Sequence, residues 1–327
     1  MRFLNRSDVE RLLDLDQLRE ALAPAMLALS QRAVSMPQRI AAMADDQDGL
    51  LAAMPVYLGQ TETLAVKLVT VYPHNPAIGR PAHQGLVALF AADTGTPLAM
   101  MDAAYITAAR TAAGSALASQ LLARPEAEVL TIIGTGVQAL AHAQAIPRVR
   151  PLKQIRIVGR SEQKATQLAQ RIAEQGQIPA TAGSSVREAL VGADIVCATT
   201  HAAEPVLRGA WLEPGTHLNS VGLGGRELDD DTIAQAVLVV ESRRAALFPG
   251  PGGAADLVAP LEKGLISREQ LQEVGQLIAG TRPGRTSADQ ISLYKSVGVA
   301  VQDAVAARLV LEAAEAQGVG IEVQMLS

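Results

Sequence analysis

The sequence predicts an α/β protein: a doubly wound parallel sheet joined to a second domain of α+β character. Three features of the chain lead there. From Val129 onward, short apolar runs alternate with helical stretches, the rhythm of strand–helix–strand units that build a parallel sheet. The first of those runs ends in Gly134-Thr135-Gly136 and passes straight into a helix-like segment. Before residue 119 the pattern differs. There, apolar runs are separated by Gly, Pro, Asp and Asn, as in a mixed or antiparallel sheet.

Composition narrows the class. The chain has 327 residues, of which 49% are hydrophobic, enough for two domains with sizeable cores. Aromatics amount to 2%, so those cores must be built from Ala, Leu, Val and Ile. A formal net charge of -5, with no basic stripe interleaved with aromatics, gives no reason to expect nucleic acid. No apolar run approaches the ~20 residues that span a bilayer. Charges interrupt the N-terminal segment "MRFLNRSDVERLL", unlike a secretory leader. A cytoplasmic protein that does not enter a membrane is therefore expected. Cys197 is the sole cysteine, so no intrachain disulfide is possible. His74, His83, His142, His201 and His217 are dispersed without metal-ligand spacing, and no metal is expected.

Taken in order, the elements begin with Ser7-x-x-Glu10, a capping-box pattern. Helices are predicted around 8–13 and 16–31. The runs "MPQRIAAM", "GLLAAMP", "ETLAVKLVTVYP" and "GLVALFA" read as strands, and the Ala-rich "DAAYITAARTAAGSALASQLLAR" as a long helix. Strands of the parallel sheet are predicted at Val129–Ile133, Ile155–Val158, Ile178–Ala182, Asp194–Thr199, His217–Val221 and Val237–Glu241. Ser161–Gln175 is the clearest helix between them. The Gly/Pro segment "FPGPGGAAD" (248–256) is a surface turn or a closing loop. "SVGVAVQDAVAARLVLEAAEAQG" closes the chain as an amphipathic helix that ends at a glycine and is predicted to return to the first domain.

Gly134-x-Gly136-x-x-Ala139 matches the dinucleotide fingerprint G-x-G-x-x-G/A. The first glycine permits a tight turn, the second lets the backbone approach a pyrophosphate, and the following helix aims free N–H groups at the anion. The pattern alone is weak, but a strand before it and a helix after it supply the required context. The second strand then selects the dinucleotide. NAD users commonly end it with an acid for the ribose 2′-hydroxyl. Here "IRIVGRS" ends in Gly159, Arg160 and Ser161, with no acid before Glu162. A base and a hydroxyl suit a 2′-phosphate, so NADP(H) is preferred, with NAD(H) as the alternative.

Three cations stand in apolar surroundings. In "ETLAVKLVTVYP" both faces of the strand are apolar, so Lys67 has no polar face to occupy. Burial lowers a lysine pKa and makes it a candidate proton donor near neutrality. The alternative is an edge-strand lysine whose stem lies on the protein while its head reaches water. Arg110 lies among Ile106, Thr107, Ala113 and Gly114 at helical spacing, consistent with a guanidinium aimed from a closely packed helix at a carboxylate. Arg39, in the predicted strand "PQRIAAM", is a second such cation. A surface salt bridge is the alternative for either arginine.

The blocks "VKLVTVYPHNP", "AHQGLVALF", "DTGTPLAMMDAAYITAARTAA", "IIGTGVQA", "EPVLRGAWLEPGTHLNSVG" and "LYKSVGVAVQDAVAA" resemble the ornithine cyclodeaminase/mu-crystallin family. The resemblance runs from about residue 36 to 315. It implies a homodimer in which residues 1–119 with 297–327 bind substrate and form the dimer, while 120–296 form a Rossmann domain. It also implies roles by position. Arg39, Lys67 and Arg110 hold the substrate carboxylate, and Lys67 supplies the proton. His83 and Arg110 approach the nicotinamide end. Gly134, Thr135, Gly136, Val137 and Gln138 carry the pyrophosphate, and Gly159, Arg160 and Ser161 face the adenosine ribose. Thr199, Thr200, His201, Val221 and Ser296 complete the cofactor set.

One departure from the family pattern selects among its activities. Cyclodeaminases carry an aspartate in the loop after the "N-A-V-G" strand. Here that segment reads "NSVGLGGRELDDD", with Leu223, Gly224 and Gly225 in the loop and Glu227 as the nearest acid. Glu227 and Asp229 to Asp231 resemble the family's downstream helix start, where acids suit the helix dipole. The expected activity is thus an NAD(P)H-dependent reductase of cyclic 2-imino acids, such as 1-pyrroline-2-carboxylate or 1-piperideine-2-carboxylate. The alternatives are an ornithine or lysine cyclodeaminase, an alanine or N-alkyl amino acid dehydrogenase, and a non-catalytic NADPH-binding, crystallin-like protein.

Overall fold

The computed structural model describes residues 1–324 apart from 177 and 251. Pro251 of the 248–256 loop and the last three residues assigned to the first domain lie outside the described residues. The chain divides into two compact units, 1–110 with 299–327 and 111–298. The division falls within the helix Ala103–Leu122.

The first unit is built on one sheet. Its spatial order is Ile321–Glu322, Arg2–Leu4, Pro97–Asp102, His83–Ala91, Thr63–Val71 and Gly49–Leu58, with Val34–Ser35 and Ile40–Ala44 both pairing to the last. Neighbours run antiparallel except Arg2–Leu4 with Pro97–Asp102, which run parallel. Antiparallel register places Met54, Lys67 and Val87 side by side on one face. The helix Ala300–Gln317 packs over that face and, on its other side, against Leu15–Ser30. The opposite face carries Leu51, Ala53, Pro55 and Tyr57, with Leu64, Val66 and Leu68 beside them in register.

Two local expectations change. The first helix is Arg6–Leu12, and its cap is Asn5, whose side chain accepts from the Asp8 N–H at 3.0 Å. Asp8 returns the bond to the Asn5 N–H at 3.1 Å. Asparagine caps as well as serine, and the acid three residues on completes the reciprocal pair, so the box starts two positions before Ser7. The strand expected to contain Arg39 begins at Ile40, which leaves Arg39 half-buried on the segment leading in.

Among its described residues the second unit has eight parallel strands in the order Ala180–Gly183, Gln154–Val158, Val129–Ile133, Ile195–Ala198, His217–Ser220, Ser292–Lys295, Val237–Val240 and Gln272–Glu273. Central strands such as Ile195–Ala198 are buried throughout, as parallel sheets sandwiched between layers require. The strand order reverses beside Val129–Ile133, at its border with Ile195–Ala198, which is the topological switch point of a doubly wound sheet. Ser292–Lys295 was not foreseen as a strand. It lies between His217–Ser220 and Val237–Val240, although more than fifty residues separate it from the latter in sequence.

Candidate active site

In the first unit, chemistry gathers around Lys67. Its strand is interior to the sheet and its side chain is 3% exposed, so it does not reach out from an edge to water. Nζ donates to Thr107 Oγ1 at 2.6 Å and to Asp303 Oδ1 at 3.0 Å. Arg110 is also buried. Its Nε donates to the same Asp303 oxygen at 3.1 Å, and its Nη1 donates to Gln302 Oε1 at 3.2 Å. Neither cation makes a surface salt bridge. Burial drives the Lys67 pKa down to about 8; Asp303 pulls it up, and the Arg110 and Arg39 charges press it down. Burial pushes the Asp303 carboxyl up, but the Lys67 and Arg110 charges outweigh it and hold the group below the usual carboxylate range. The result is a titratable amine poised near neutrality among fixed positive charges.

In the second unit, the glycine turn occupies the switch point. Gly134 has φ +126°, and a Cβ there would stand 2.5 Å from Thr199 Oγ1, so only glycine closes this turn. Thr199 is itself tied back, its hydroxyl donating to Ile133 O at 3.0 Å. Gly159 packs on Thr135, whose Cγ2 lies 2.7 Å from where a Cβ would sit. A Cβ on Gly136 would meet nothing within 4 Å. Gly136 is the cap residue of the helix Val137–Ala145 and makes no side-chain cap hydrogen bond. Space above the turn and a helix N-terminus whose cap residue has no side chain fit a pyrophosphate. Arg160 is exposed, and Ser161 caps the helix Glu162–Gln175 by accepting from Lys164 N–H at 3.3 Å, which leaves its own O–H to donate. His142 in the helix after the turn is buried, with ring nitrogens on Gln138 O at 2.7 Å and Ser115 Oγ at 2.9 Å. Burial pushes it down to about 4, so it is neutral at ordinary pH.

The loop after His217–Ser220 is pinned from below. Glu227 is 1% exposed and both its oxygens are taken: Oε1 by Thr200 N–H at 2.6 Å and Thr200 Oγ1 at 2.8 Å, Oε2 by Ser220 Oγ and Gly222 N–H, each at 2.8 Å. Lys295, 1% exposed, donates to Ser220 Oγ at 2.9 Å and Gly222 O at 2.8 Å and pairs with Asp256 Oδ2 at 2.7 Å. Asp256 Oδ1 accepts from Leu228 N–H at 3.0 Å. Glu227 therefore does not sit at a helix start. The helix Asp230–Gln235 begins three residues later, capped by Asp229, which accepts from Thr232 N–H at 2.9 Å.

The structure thus brings Lys67 and Arg110 together, with Arg39 in electrostatic reach, and separately joins Gly134, Thr135, Gly159 and Thr199. Val137 and Gln138 open the helix at the turn. Two other candidates are engaged elsewhere. The Thr200 hydroxyl is committed to Glu227, and the Ser296 hydroxyl to Glu241 Oε1 at 2.6 Å. His83 is exposed at the start of its strand opposite Val71, His201 is exposed, and Val221 is half-buried with its N–H on Ala198 O at 3.0 Å. Sequence reasoning missed Asp303, Gln302, Asp256 and Lys295. An acid inside the apolar run "VAVQDAVAA" was the only signal for the first. Among the described residues no group of His, Cys, Asp and Glu could hold a metal ion, and no helix is long and apolar enough to cross a membrane.

A doubly wound sheet with a glycine turn at its switch point in one unit, and a lysine buried among arginines in the other, define a two-unit nicotinamide-dinucleotide oxidoreductase architecture. The chain belongs to the ornithine cyclodeaminase/mu-crystallin family, whose model matches residues 1–318. It is 38% identical over 319 residues to the ketimine reductase mu-crystallin of Macropus fuliginosus, covering 95% of this chain and 96% of that one. It is 35% identical over 329 residues to a Bacillus cereus Delta(1)-pyrroline-2-carboxylate reductase, covering 99% and 100%. The solved structure of Thermococcus litoralis Delta(1)-pyrroline-2-carboxylate reductase with NADH and L-proline superposes with a TM-score of 0.95 at 35% identity, covering 99% of this chain and 100% of that one.

Proposed function

We propose that this protein is an NAD(P)H-dependent reductase of cyclic 2-imino acids. The observation that carries the reading is the buried Lys67, with a pKa of about 8, flanked by Arg110 and Arg39. The arginines offer paired donors to a carboxylate. Lys67, in its ammonium form, gives a proton to the imine nitrogen as the C=N π electrons withdraw onto it. Reduced nicotinamide, when bound, supplies the hydride that forms the new C–H bond. Gly134 to Gln138 would hold its pyrophosphate, and Arg160 with the Ser161 O–H would face an adenosine 2′-phosphate, which is why NADPH is the preferred donor.

Cyclodeamination requires an acid free to act as a base, and the nearest loop acid, Glu227, has all four of its bonds made. Open-chain 2-imino acids present the same carboxylate and C=N group, so alanine or N-alkyl amino acid dehydrogenation is the second substrate class. The occupant proposed for the apolar outer face of the first sheet is a second copy of the chain. Ile40 is 70% exposed, Leu51 46% and Tyr57 39%, and in a homodimer they would be covered.

The decisive experiment follows NADPH and NADH absorbance with 1-pyrroline-2-carboxylate, 1-piperideine-2-carboxylate, and pyruvate plus ammonia or methylamine. Oxidation of NADPH by the cyclic imines is expected. Ammonia release from ornithine without added reductant, or no turnover of any imine, would overturn the reading.

A further inference from the structure

We infer that Asp303 is a positioning residue of the reduction: one carboxylate oxygen, shared between the Lys67 ammonium and the Arg110 guanidinium, fixes the proton donor relative to the carboxylate clamp and keeps the lysine charged when substrate arrives. This rests on the reductase reading above and adds to it a residue on the last long helix of the chain.

Geometry carries the inference. Oδ1 accepts from Lys67 Nζ at 3.0 Å and from Arg110 Nε at 3.1 Å, so a single atom sets the spacing of two cations from different elements. Oδ2 is buried and has no hydrogen-bond partner, and neither has Gln302 Nε2 beside it. An ion pair selected for stability alone would satisfy both oxygens, because an unpaired buried acceptor is costly. An acid in the first turn of Ala300–Gln317 gains from the helix dipole, but that gain needs no burial and no partner. Asp303 has both.

The charges around Lys67 are few. Asp303 comes from the overlying helix, Arg110 from Ala103–Leu122, and Arg39 from the segment before Ile40–Ala44. Flanking strands present the neutral Met54 and Val87, and Thr107 is neutral. Among the described residues that act on Lys67, Asp303 is thus the one negative charge set against two positive ones. Remove it, and Arg110 and Arg39 act on Lys67 unopposed. The acid form is the active form, so activity is lost as pH rises through the lysine pKa. Lowering that pKa moves the basic limb toward acid.

The test compares pH–rate profiles for cyclic-imine reduction by the wild type and by Asp303→Asn. The wild-type basic limb is expected near pH 8, and the variant limb about 1–3 pH units lower, with kcat at pH 8 reduced and recovered at lower pH. A uniform loss of kcat with an unmoved limb would assign Asp303 a merely structural role and overturn the inference. No imine reduction by the wild type would instead overturn the reductase reading. Should Asp303→Asn fail to fold, carbon-13 NMR of the wild type decides. The chain has five lysines, Lys67, Lys153, Lys164, Lys263 and Lys295, and Lys67→Arg assigns the signal of interest. The Asp303 carboxyl carbon, assigned with Asp303→Glu, should report the same midpoint as Lys67. A carboxyl signal indifferent to that titration would overturn the inference.

Discussion

A buried lysine is unfavourable unless its charge is used or matched. Lys67 is matched by one acid and opposed by two arginines, which leaves it able to lose a proton near neutrality. Lys67→Arg should separate its two tasks. The positive charge that helps to grip a carboxylate survives, but a guanidinium does not release its proton in this range. Steady-state kinetics should show kcat for imine reduction lower by about 10²–10⁴-fold, the usual span for a general acid, with KM changed far less. A parallel fall of kcat and rise of KM would make Lys67 a binding residue only. Arg160 allows a second forecast. It is exposed and has no acid beside it on the chain, so Arg160→Ala should weaken NADPH more than NADH, read as the ratio of their kcat/KM values. An unchanged ratio would remove the argument for the 2′-phosphate. His142 should contribute nothing to any pH profile near neutrality, because it is already neutral there.

The loop above Glu227 is an element whose conformation is fixed by one carboxylate. Glu227→Ala would leave two backbone N–H groups and two hydroxyls without their acceptor, at a cost of about 3–5 kcal/mol. Calorimetry should show the melting temperature lower by roughly 6–20 °C. A shift within error would mean that the loop is held by Lys295 and Asp256 instead. Legibility from sequence follows the range of the interaction. The run Val129–Ile133 and its glycine turn were readable because strand, turn and helix are consecutive and Gly134 takes a positive φ that favours glycine. The helix Glu162–Gln175 was readable from its serine cap and amphipathic spacing. Ser292–Lys295 was not, because four residues carry no period and its neighbours in the sheet are remote in sequence. Lys67 was conspicuous for lacking a polar face. Its partner was not, since an aspartate three residues into an apolar helix looks like any acid favoured by the dipole. Glu227 was read as part of a helix start for the same reason; its four donors come from segments that meet only after folding.

For the molecule as a whole, the first sheet has two apolar faces and this chain covers one of them with the helix Ala300–Gln317. The uncovered face predicts self-association. Leu51→Glu puts a charge at a position 46% exposed in the single chain, so it should fold as before yet sediment as a monomer where the wild type is expected to sediment as a dimer. A monomeric wild type would end that proposal. The covered face has a consequence for biosynthesis. Asp303 is 236 positions from Lys67 along the chain, and the whole second unit is translated between them. A nascent polypeptide therefore carries an apolar sheet with an unmatched internal lysine throughout translation of the intervening residues. Only when the closing helix leaves the ribosome does that half acquire its lid and its counter-ion together. A chain released after Gly298 should display a first half open to protease, whereas the dinucleotide half, with all its strands present, resists.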